Sequence, residues 1–302
     1  MLINKISFKE KVWVMLSLGR ISNLPTVFSN ILCGGILASG SARQLSTLFP
    51  VMLVGIFFYV AGMYLNDAFD RDFDRKHRPE RPIPQGLVSA RLVFYIGAIL
   101  IFAGIGICAY LSIYKDISVM LLPVAIGLSA LIVFYNWHHK QNPIAPYIMA
   151  LCRILLYFLG GFYLVSSSDI KLYWGSLCLF SYLSGLTLIA KSEYAGRKNN
   201  FIAICMLFLP SLFWLLGDGV IKNVNYLNIS ILIIFIGWTS YCLSFLKKKK
   251  LLFKTVIGLI AGISLLDALL VSSSGNVSPE ILIIMLMCFL STLLLQRYVK
   301  GT

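Results

Sequence analysis

Long apolar stretches alternate with short polar connections along almost the whole chain. Ten of the stretches reach, or nearly reach, the roughly 17 to 25 residues that a helix needs to cross a hydrocarbon core of about 30 Å. They cover residues 22–40, 50–65, 92–112, 119–137, 146–165, 172–190, 201–217, 228–246, 254–271 and 279–296. This pattern predicts an all-α fold, a polytopic transmembrane helical bundle of nine to ten spans.

The two ends of the chain are expected to lie apart from the main bundle. Residues 1–20 mix Lys and Glu with Phe8, Val12 and Trp13, which is typical of an amphipathic helix at a membrane surface. A cleaved signal peptide would instead separate its basic and apolar regions. We expect residues 1–21 to form a cytoplasmic interfacial helix, residues 22–272 the main transmembrane domain, and residues 273–302 an additional C-terminal transmembrane helix, packed on the outside.

Composition and charge exclude a soluble domain and a nucleic-acid-binding protein. The chain is 59% hydrophobic, with a mean hydropathy of +0.85. Its net charge is +14, and 21 of its 26 Lys and Arg lie before the first span, after the last one or in the even-numbered connections, with Lys254 at the start of the ninth span counted among them. This positive-inside distribution predicts a multi-pass protein of the cytoplasmic membrane with both termini in the cytoplasm, in contact with anionic lipids and not with nucleic acid. The heavy use of Ile, Lys and Leu indicates a bacterial source.

A cluster of charge stands out at the end of the second apolar stretch, in the segment NDAFDRDFDRKHRPERPIPQG. Read as a continued helix, Asp67, Asp70 and Asp74 share one face, since they are three and then four residues apart. Asn66 adds an amide oxygen beside them. Carboxylate and amide oxygens without His or thiolate suit Mg²⁺, which prefers one or two carboxylates together with substrate phosphates. The alternative is a solvated, charged connection, which is the usual fate of a charge run.

Basic residues follow these acids directly and could bind such a phosphate. They are Arg75, Lys76, Arg78 and Arg81. The prolines among them prevent a continued helix, so we expect an ordered cytoplasmic loop.

The segment Asn66–Gly86 resembles the first aspartate-rich motif of the UbiA superfamily of intramembrane prenyltransferases, N-D-x-x-D-x-x-x-D followed by R-P-x-x-R-P-[IL]-P-x-G. With the span count, the resemblance covers roughly residues 20–272. It implies a helical bundle around a central cavity and a Mg²⁺-dependent enzyme. The reaction implied moves a prenyl group from an allylic diphosphate to a lipophilic, membrane-associated acceptor, either an aromatic ring or an alcohol.

A second motif is expected after the sixth span, where the family carries D-x-x-x-D preceded by Y-x-x-x-K. Here Glu193 is the only acid, and Lys191 has Thr187 four residues before it in place of Tyr. We assign Glu193 to Mg²⁺, together with the acids of the first motif, and Lys191 and Arg197 to the diphosphate.

Three polar residues near the spans have two interpretations each. Family members carry an arginine and an asparagine near the acceptor site, so Arg20 and Asn23 are candidates for acceptor binding; interface anchoring and interhelical hydrogen bonding is the alternative. Arg153 lies inside the fifth span, where a charge needs a partner. It binds either the diphosphate or Asp267.

Aromatic residues and two histidines end the fourth span, where we expect a membrane-interface belt: Tyr135, Trp137, His138 and His139.

Two functions from other classes stay open on the sequence alone. A membrane transporter would also use intramembrane charges such as Arg153 and Asp267. A non-catalytic relative that binds polyprenyl lipid would fit the thinned second motif. Within the enzyme class, the donor could instead be phosphoribosyl diphosphate, with a polyprenyl phosphate as acceptor.

Overall fold

The structure is a computed structural model that describes residues 7–40, 45–140, 142–166, 169–195, 200–216, 226–247, 252–273 and 278–299. These residues form twelve α-helices and no strand. The helices are α1 (Phe8–Leu18), α2 (Leu24–Ser39), α3 (Phe49–Phe69), α4 (Arg71–His77), α5 (Ala90–Ile113), α6 (Leu121–His138), α7 (Ala145–Leu164), α8 (Ile170–Ala195), α9 (Phe201–Leu216), α10 (Tyr226–Ser244), α11 (Leu252–Ser272) and α12 (Pro279–Leu295).

Each of the ten predicted spans contains one of these helices. Among the described residues, eight helical segments are long and apolar enough to cross a membrane, and α9 and α12 are shorter apolar helices. The prediction of an all-α, polytopic transmembrane bundle is therefore confirmed. The chain is a multi-pass integral membrane protein.

Helices α2 and α11 lie at the centre of the bundle, where most of their residues are buried. Helix α2 packs against α7, α3, α11 and α12. Glycines allow its backbone to approach α7 closely: a Cβ on Gly34 would lie 2.1 Å from the Tyr157 carbonyl oxygen, and one on Gly160 would lie 2.0 Å from that of Ile31. Small residues let membrane helices pack at this distance. This contact brings the polar residues of α2 and α7 together.

The two ends of the chain pack unequally on this bundle. Helix α1 starts at Ser7, which forms a capping box with Glu10. It exposes Phe8 and Trp13 by 82% and 48%, as an interfacial helix would. Helix α12 packs against α11, α2 and the 3-10 turn Ile21–Asn23. The three-part division of the chain stays a prediction.

The end of α3 and the segment after it position the charged residues. The helix continues almost directly into α4, with a single break at Asp70, so acids from both helices lie at one end of the bundle. After α4 the proline-rich segment forms successive turns, with backbone hydrogen bonds from Arg81 to Arg78, from Gln85 to Arg81 and from Leu87 to Pro82. Gly86 has a φ of +76°, which glycine adopts without strain. The loop is ordered, as its prolines predict.

Candidate functional site

Two carboxylates of the first motif share one arginine. Asp67 and Asp74 are 7% and 1% exposed. Arg81 Nη1 donates to Asp67 Oδ1 at 3.0 Å and to Asp74 Oδ2 at 2.9 Å. Arg20 Nη2 lies 3.7 Å from Asp67 Oδ1, and Arg78 Nη1 lies 4.0 Å from Asp74 Oδ1. The acids thus lie at an end of the bundle where cations already offset their repulsion.

Asp70 has a different set of partners. Lys140 Nζ lies 2.9 Å from its Oδ1, and His139 Nε2 lies 3.5 Å from its Oδ2. Asn66 Nδ2 donates to Oδ2 at 3.2 Å. Burial raises the pKa of Asp70, but the hydrogen bonds and charges of His139 and Lys140 outweigh burial and leave this pKa below its usual value. Asp70 is therefore ionised at neutral pH.

The basic residues of the first motif do not all join this cluster. Arg75 pairs instead with Asp72 at 4.0 Å, and both side chains are largely exposed. This contact does not support the assignment of Arg75 to the diphosphate together with Arg78 and Arg81. The reason is helical geometry, because Arg75 follows Asp74 by one residue and so projects from a different face of α4.

A cavity of about 280 Å³ begins one helical turn before these acids and extends into the bundle. One wall is apolar and comes from α3, α6, α7, α8 and α11. Its residues include Phe58, Leu128, Ile132, Leu156, Leu183, Leu186, Ile260 and Ile263. The central cavity that the family resemblance implies is present.

Polar side chains also line the cavity, and we call four of them the polar wall. It carries Arg20, Asn23, Tyr59 and Arg153. Arg20 adopts a left-handed conformation, with φ of 45°, and reaches Met63 Sδ at 3.2 Å as well as Asp67. The guanidinium of Arg153 lies 5.2 Å from the centre of the Tyr59 ring. Both sequence candidates for acceptor binding, Arg20 and Asn23, therefore face the cavity.

Behind this wall, Arg153 is linked to Asp267 through Asn30. Arg153 Nη1 donates to Asn30 Oδ1 at 3.0 Å, and Asn30 Nδ2 donates to Asp267 Oδ2 at 2.9 Å. Asp267 also accepts hydrogen bonds from Ser29 at 2.5 Å and from Tyr157. Of the two interpretations of Arg153, the structure favours a link to Asp267, with an asparagine between them.

Sequence comparison agrees with this geometry. A profile of the UbiA prenyltransferase family matches residues 27–198, which include the first motif and most of the cavity wall. The chain belongs to the UbiA prenyltransferase family. The comparison also covers the region of the divergent second motif.

Individual UbiA relatives match over shorter lengths. Digeranylgeranylglyceryl phosphate synthase of Thermococcus kodakarensis is 30% identical over 110 residues, 36% of this chain and 38% of that protein. The chain spans between about a third and about half of the length of the curated relatives that it matches.

Solved UbiA structures share the fold. A digeranylgeranylglyceryl phosphate synthase structure has a TM-score of 0.62 at 19% identity, covering 88% of this chain and 99% of that one. A UbiA homologue from Archaeoglobus fulgidus bound to GPP and Mg²⁺ has a TM-score of 0.50 at 17% identity, covering 94% and 86%.

The residues of the first motif fit Mg²⁺ by their chemistry. Their oxygens are carboxylate and amide oxygens, which this ion prefers. Asp74 Oδ1 is buried and accepts no hydrogen bond from the residues that the structure describes. The same part of the chain contains no group of three or more acids, histidines or cysteines close enough together to hold a metal ion. Arg81 lies between Asp67 and Asp74, where a cation would bind both.

Fewer side-chain contacts can be described for the second motif than for the first. Lys191 donates to the backbone carbonyl oxygens of Asn142 at 2.8 Å and His139 at 3.5 Å. Its ammonium therefore holds the connection after α6, and this contact does not support the expectation that it binds diphosphate. Glu193 lies in the last turn of α8, but its side chain falls outside the described residues, as does all of Arg197.

Three residues of the site escaped the sequence analysis. His139 was expected in a membrane-interface belt and instead contacts Asp70, so that expectation is wrong. Lys140 lies over the Phe73 ring at 4.1 Å and pairs with the same acid. Tyr59 was hidden in an apolar span. One feature of the sequence could have indicated Lys140: it lies in a short connection that is predicted on the same face of the membrane as the first motif.

Proposed function

We propose that this protein is a Mg²⁺-dependent intramembrane prenyltransferase. It would transfer a prenyl group from an allylic diphosphate to a lipophilic acceptor. The observation that carries this proposal is the apolar cavity that opens beside buried carboxylates and basic residues. A prenyl diphosphate has the same two halves, a charged head group and a hydrocarbon tail. Membership of the UbiA family supports the reaction class.

The first motif would bind the charged head group. Asn66, Asp67, Asp70 and Asp74 would hold Mg²⁺ through their side-chain oxygens. Bound there, Mg²⁺ would neutralise charge on the diphosphate and make it a better leaving group. Glu193 would add one carboxylate from the second motif.

Basic residues near these acids would bind the phosphate oxygens. Arg81, Arg78 and Lys140 already lie within 4.0 Å of the carboxylates and are the main candidates. When a diphosphate binds, Arg81 would exchange part of its contact with Asp67 and Asp74 for phosphate oxygens. Arg197 keeps the same proposed role.

The cavity would hold the tail and the acceptor on different walls. The apolar wall of α6 and α8 suits a prenyl chain, because burying hydrocarbon there leaves no polar group unsatisfied. The polar wall, with Arg20 and Asn23, suits the acceptor. Closure of the cavity by the tail would also exclude water from a reactive allylic centre.

The acceptor that we propose is a lipid alcohol. The product named for the relatives carries two geranylgeranyl groups on glyceryl phosphate, which favours an alcohol over an aromatic ring. We propose that the first motif and both termini lie on the cytoplasmic side of a bacterial cytoplasmic membrane, which the distribution of Lys and Arg supports.

A transfer assay tests this function. The purified protein in nanodiscs would receive radiolabelled geranyl diphosphate with Mg²⁺ and either geranylgeranylglyceryl phosphate or a phenolic acceptor. We expect the alcohol to give a prenylated lipid product, and we expect EDTA to abolish the formation of this product. Mg²⁺-independent lipid flux in proteoliposomes without any transfer product would contradict the proposal and favour a transporter.

A further inference from the structure

Gln296, directly after α12, reaches the polar wall of the cavity from the C-terminal end of the chain. Its Nε2 donates to Asn23 Oδ1 at 3.1 Å and lies 3.4 Å from the Ile257 carbonyl oxygen, to which it also donates. Asn23 is only 3% exposed and lines the cavity. The last helix, which we expected on the outside of the bundle, is thus connected to the cavity through one side chain.

The hydrogen bonds that link Gln296, Asn23 and Tyr59 run in one direction. The Ile257 carbonyl oxygen can only accept, so the Gln296 amide must turn its nitrogen toward it. Since that nitrogen also donates to Asn23, the oxygen of the Asn23 amide must face it. The two contacts together fix the orientation of the Asn23 amide, which distances alone leave ambiguous. The nitrogen of Asn23 therefore faces Tyr59.

The hydrogen bonds of Tyr59 run in the same direction. Asn23 Nδ2 donates to the Tyr59 hydroxyl at 3.2 Å, and that hydroxyl lies 3.5 Å from the Arg20 carbonyl oxygen, to which it donates. Beside this row, the guanidinium groups of Arg20 and Arg153 line the cavity. The polar wall therefore presents hydrogen-bond donors.

We propose that Gln296 is a positioning residue that fixes Asn23 as a hydrogen-bond donor at the cavity wall. This rests on the proposed prenyl transfer and refines it: the bound acceptor presents an oxygen to Asn23. Gln296 does not touch that molecule. It acts by occupying Asn23 Oδ1, so that only the nitrogen of Asn23 faces Tyr59.

Two substitutions separate hydrogen-bond direction from side-chain bulk. Gln296→Lys retains a group that can only donate, so the orientation of Asn23 is kept. Gln296→Glu is nearly isosteric, but its carboxylate can only accept, so Asn23 must turn its amide around. Leu294→Ala is the matched control, because Leu294 lies in the last turn of the same helix and is 53% exposed.

Fluorine NMR reads the orientation without any turnover. With 3-fluorotyrosine at position 59, the resonance reports whether the Tyr59 hydroxyl accepts from Asn23. We expect it to move in the Gln296→Glu variant and in Asn23→Ala, and to stay in place in Gln296→Lys and Leu294→Ala. An unmoved resonance in Gln296→Glu overturns the proposal.

Kinetics then show whether this orientation affects binding of the acceptor, with geranylgeranylglyceryl phosphate as probe. We expect Gln296→Glu to raise the acceptor KM about tenfold, which corresponds to about 1.4 kcal/mol. The KM for geranyl diphosphate should change by less than about twofold. Equal losses of kcat in the Glu and Lys variants, with unchanged acceptor KM, would indicate a merely structural role and contradict the proposal. If the wild-type protein transfers no prenyl group, the proposed function fails, whereas the fluorine resonance still decides the role of Gln296.

Discussion

Acids are buried beside arginines in two regions of this molecule, and their surroundings differ. At the end of the bundle, Asp67 and Asp74 contact Arg81, which belongs to a loop. In the interior, Asp267 accepts hydrogen bonds from side chains of α2 and α7 and is linked to Arg153 through Asn30. The acids of the first region lie one helical turn beyond the residues that line the cavity, whereas Asp267 is enclosed by three helices and its partner Arg153 lines the cavity.

The difference lies in what each carboxylate can still bind. Asp74 keeps a buried oxygen that accepts no hydrogen bond from the described residues. Both oxygens of Asp267 are engaged. A loop cation can exchange a carboxylate for a ligand, whereas a network between packed helices resists rearrangement. The same residue types therefore indicate a binding site at the end of the bundle and a structural connection in its centre.

The largest effect should come from the acids at the end of the bundle. Asp67→Asn removes a charge that the proposed site uses to hold its cation, and we expect turnover to fall by about 10²- to 10³-fold. The unfolding temperature should change little, because Arg81 keeps its contact with Asp74. Product formation from geranyl diphosphate measures the loss.

Asp72→Asn is the control for that variant. Asp72 lies in the same charged segment, its side chain is 70% exposed, and it pairs with Arg71 and Arg75 outside the cluster. Its turnover should match that of the wild type. Equal losses in both variants would remove the distinction between clustered and exposed acids.

Substitution of the interior acid should affect stability more than turnover. Asp267→Asn leaves Arg153 without its buried counter-charge, and we expect a loss of about 3 kcal/mol in unfolding free energy. Ser264→Ala, which removes only a hydroxyl 2.9 Å from Ser29, should cost about 1 kcal/mol. Thermal unfolding in detergent compares the two. A fully stable but inactive Asp267→Asn variant would instead assign this region to catalysis.

Sequence periodicity predicts one of these regions better than the other. The spacing of Asp67, Asp70 and Asp74 places them together because a helix repeats every 3.6 residues. The partners of Asp70 were not predictable this way, since His139 and Lys140 come from the connection after α6 and their distance from Asp70 depends on packing. For the same reason the sequence offered Asp267 as a partner for Arg153 without revealing the intervening asparagine.

The loop shows a further limit of prediction. Arg75 and Arg81 looked equivalent in the sequence. The prolines end helical spacing between them, and the turns that follow bring only Arg81 back over the acids. The overall bundle needed no such detail, because span length and hydropathy determine it.

A smaller effect should separate those two arginines. Arg81→Met removes the cation that Asp67 and Asp74 share, and we expect turnover to fall about tenfold through weaker diphosphate binding. Arg75→Met should leave turnover unchanged, since its side chain is 67% exposed and lies apart from the cluster. The KM for geranyl diphosphate distinguishes the two. A similar rise of this KM in both variants would show that the charge of the arginine alone, and not its position, matters.

The smallest effect concerns pH. Burial raises the pKa of Asp70, but His139 and Lys140 lower it further, to below its usual value. Ionised Asp70 therefore stabilises the fold above an unfolded-state pKa of about 3.9, and this stabilisation disappears as pH falls through the lower folded-state pKa. Lys140→Met should raise the folded-state pKa and flatten this loss of stability on acidification, whereas Lys9→Met on the exposed helix α1 should not. Unfolding temperatures measured from neutral to acidic pH test this, and parallel curves for the wild type and Lys140→Met would show that Lys140 does not stabilise the charge of Asp70.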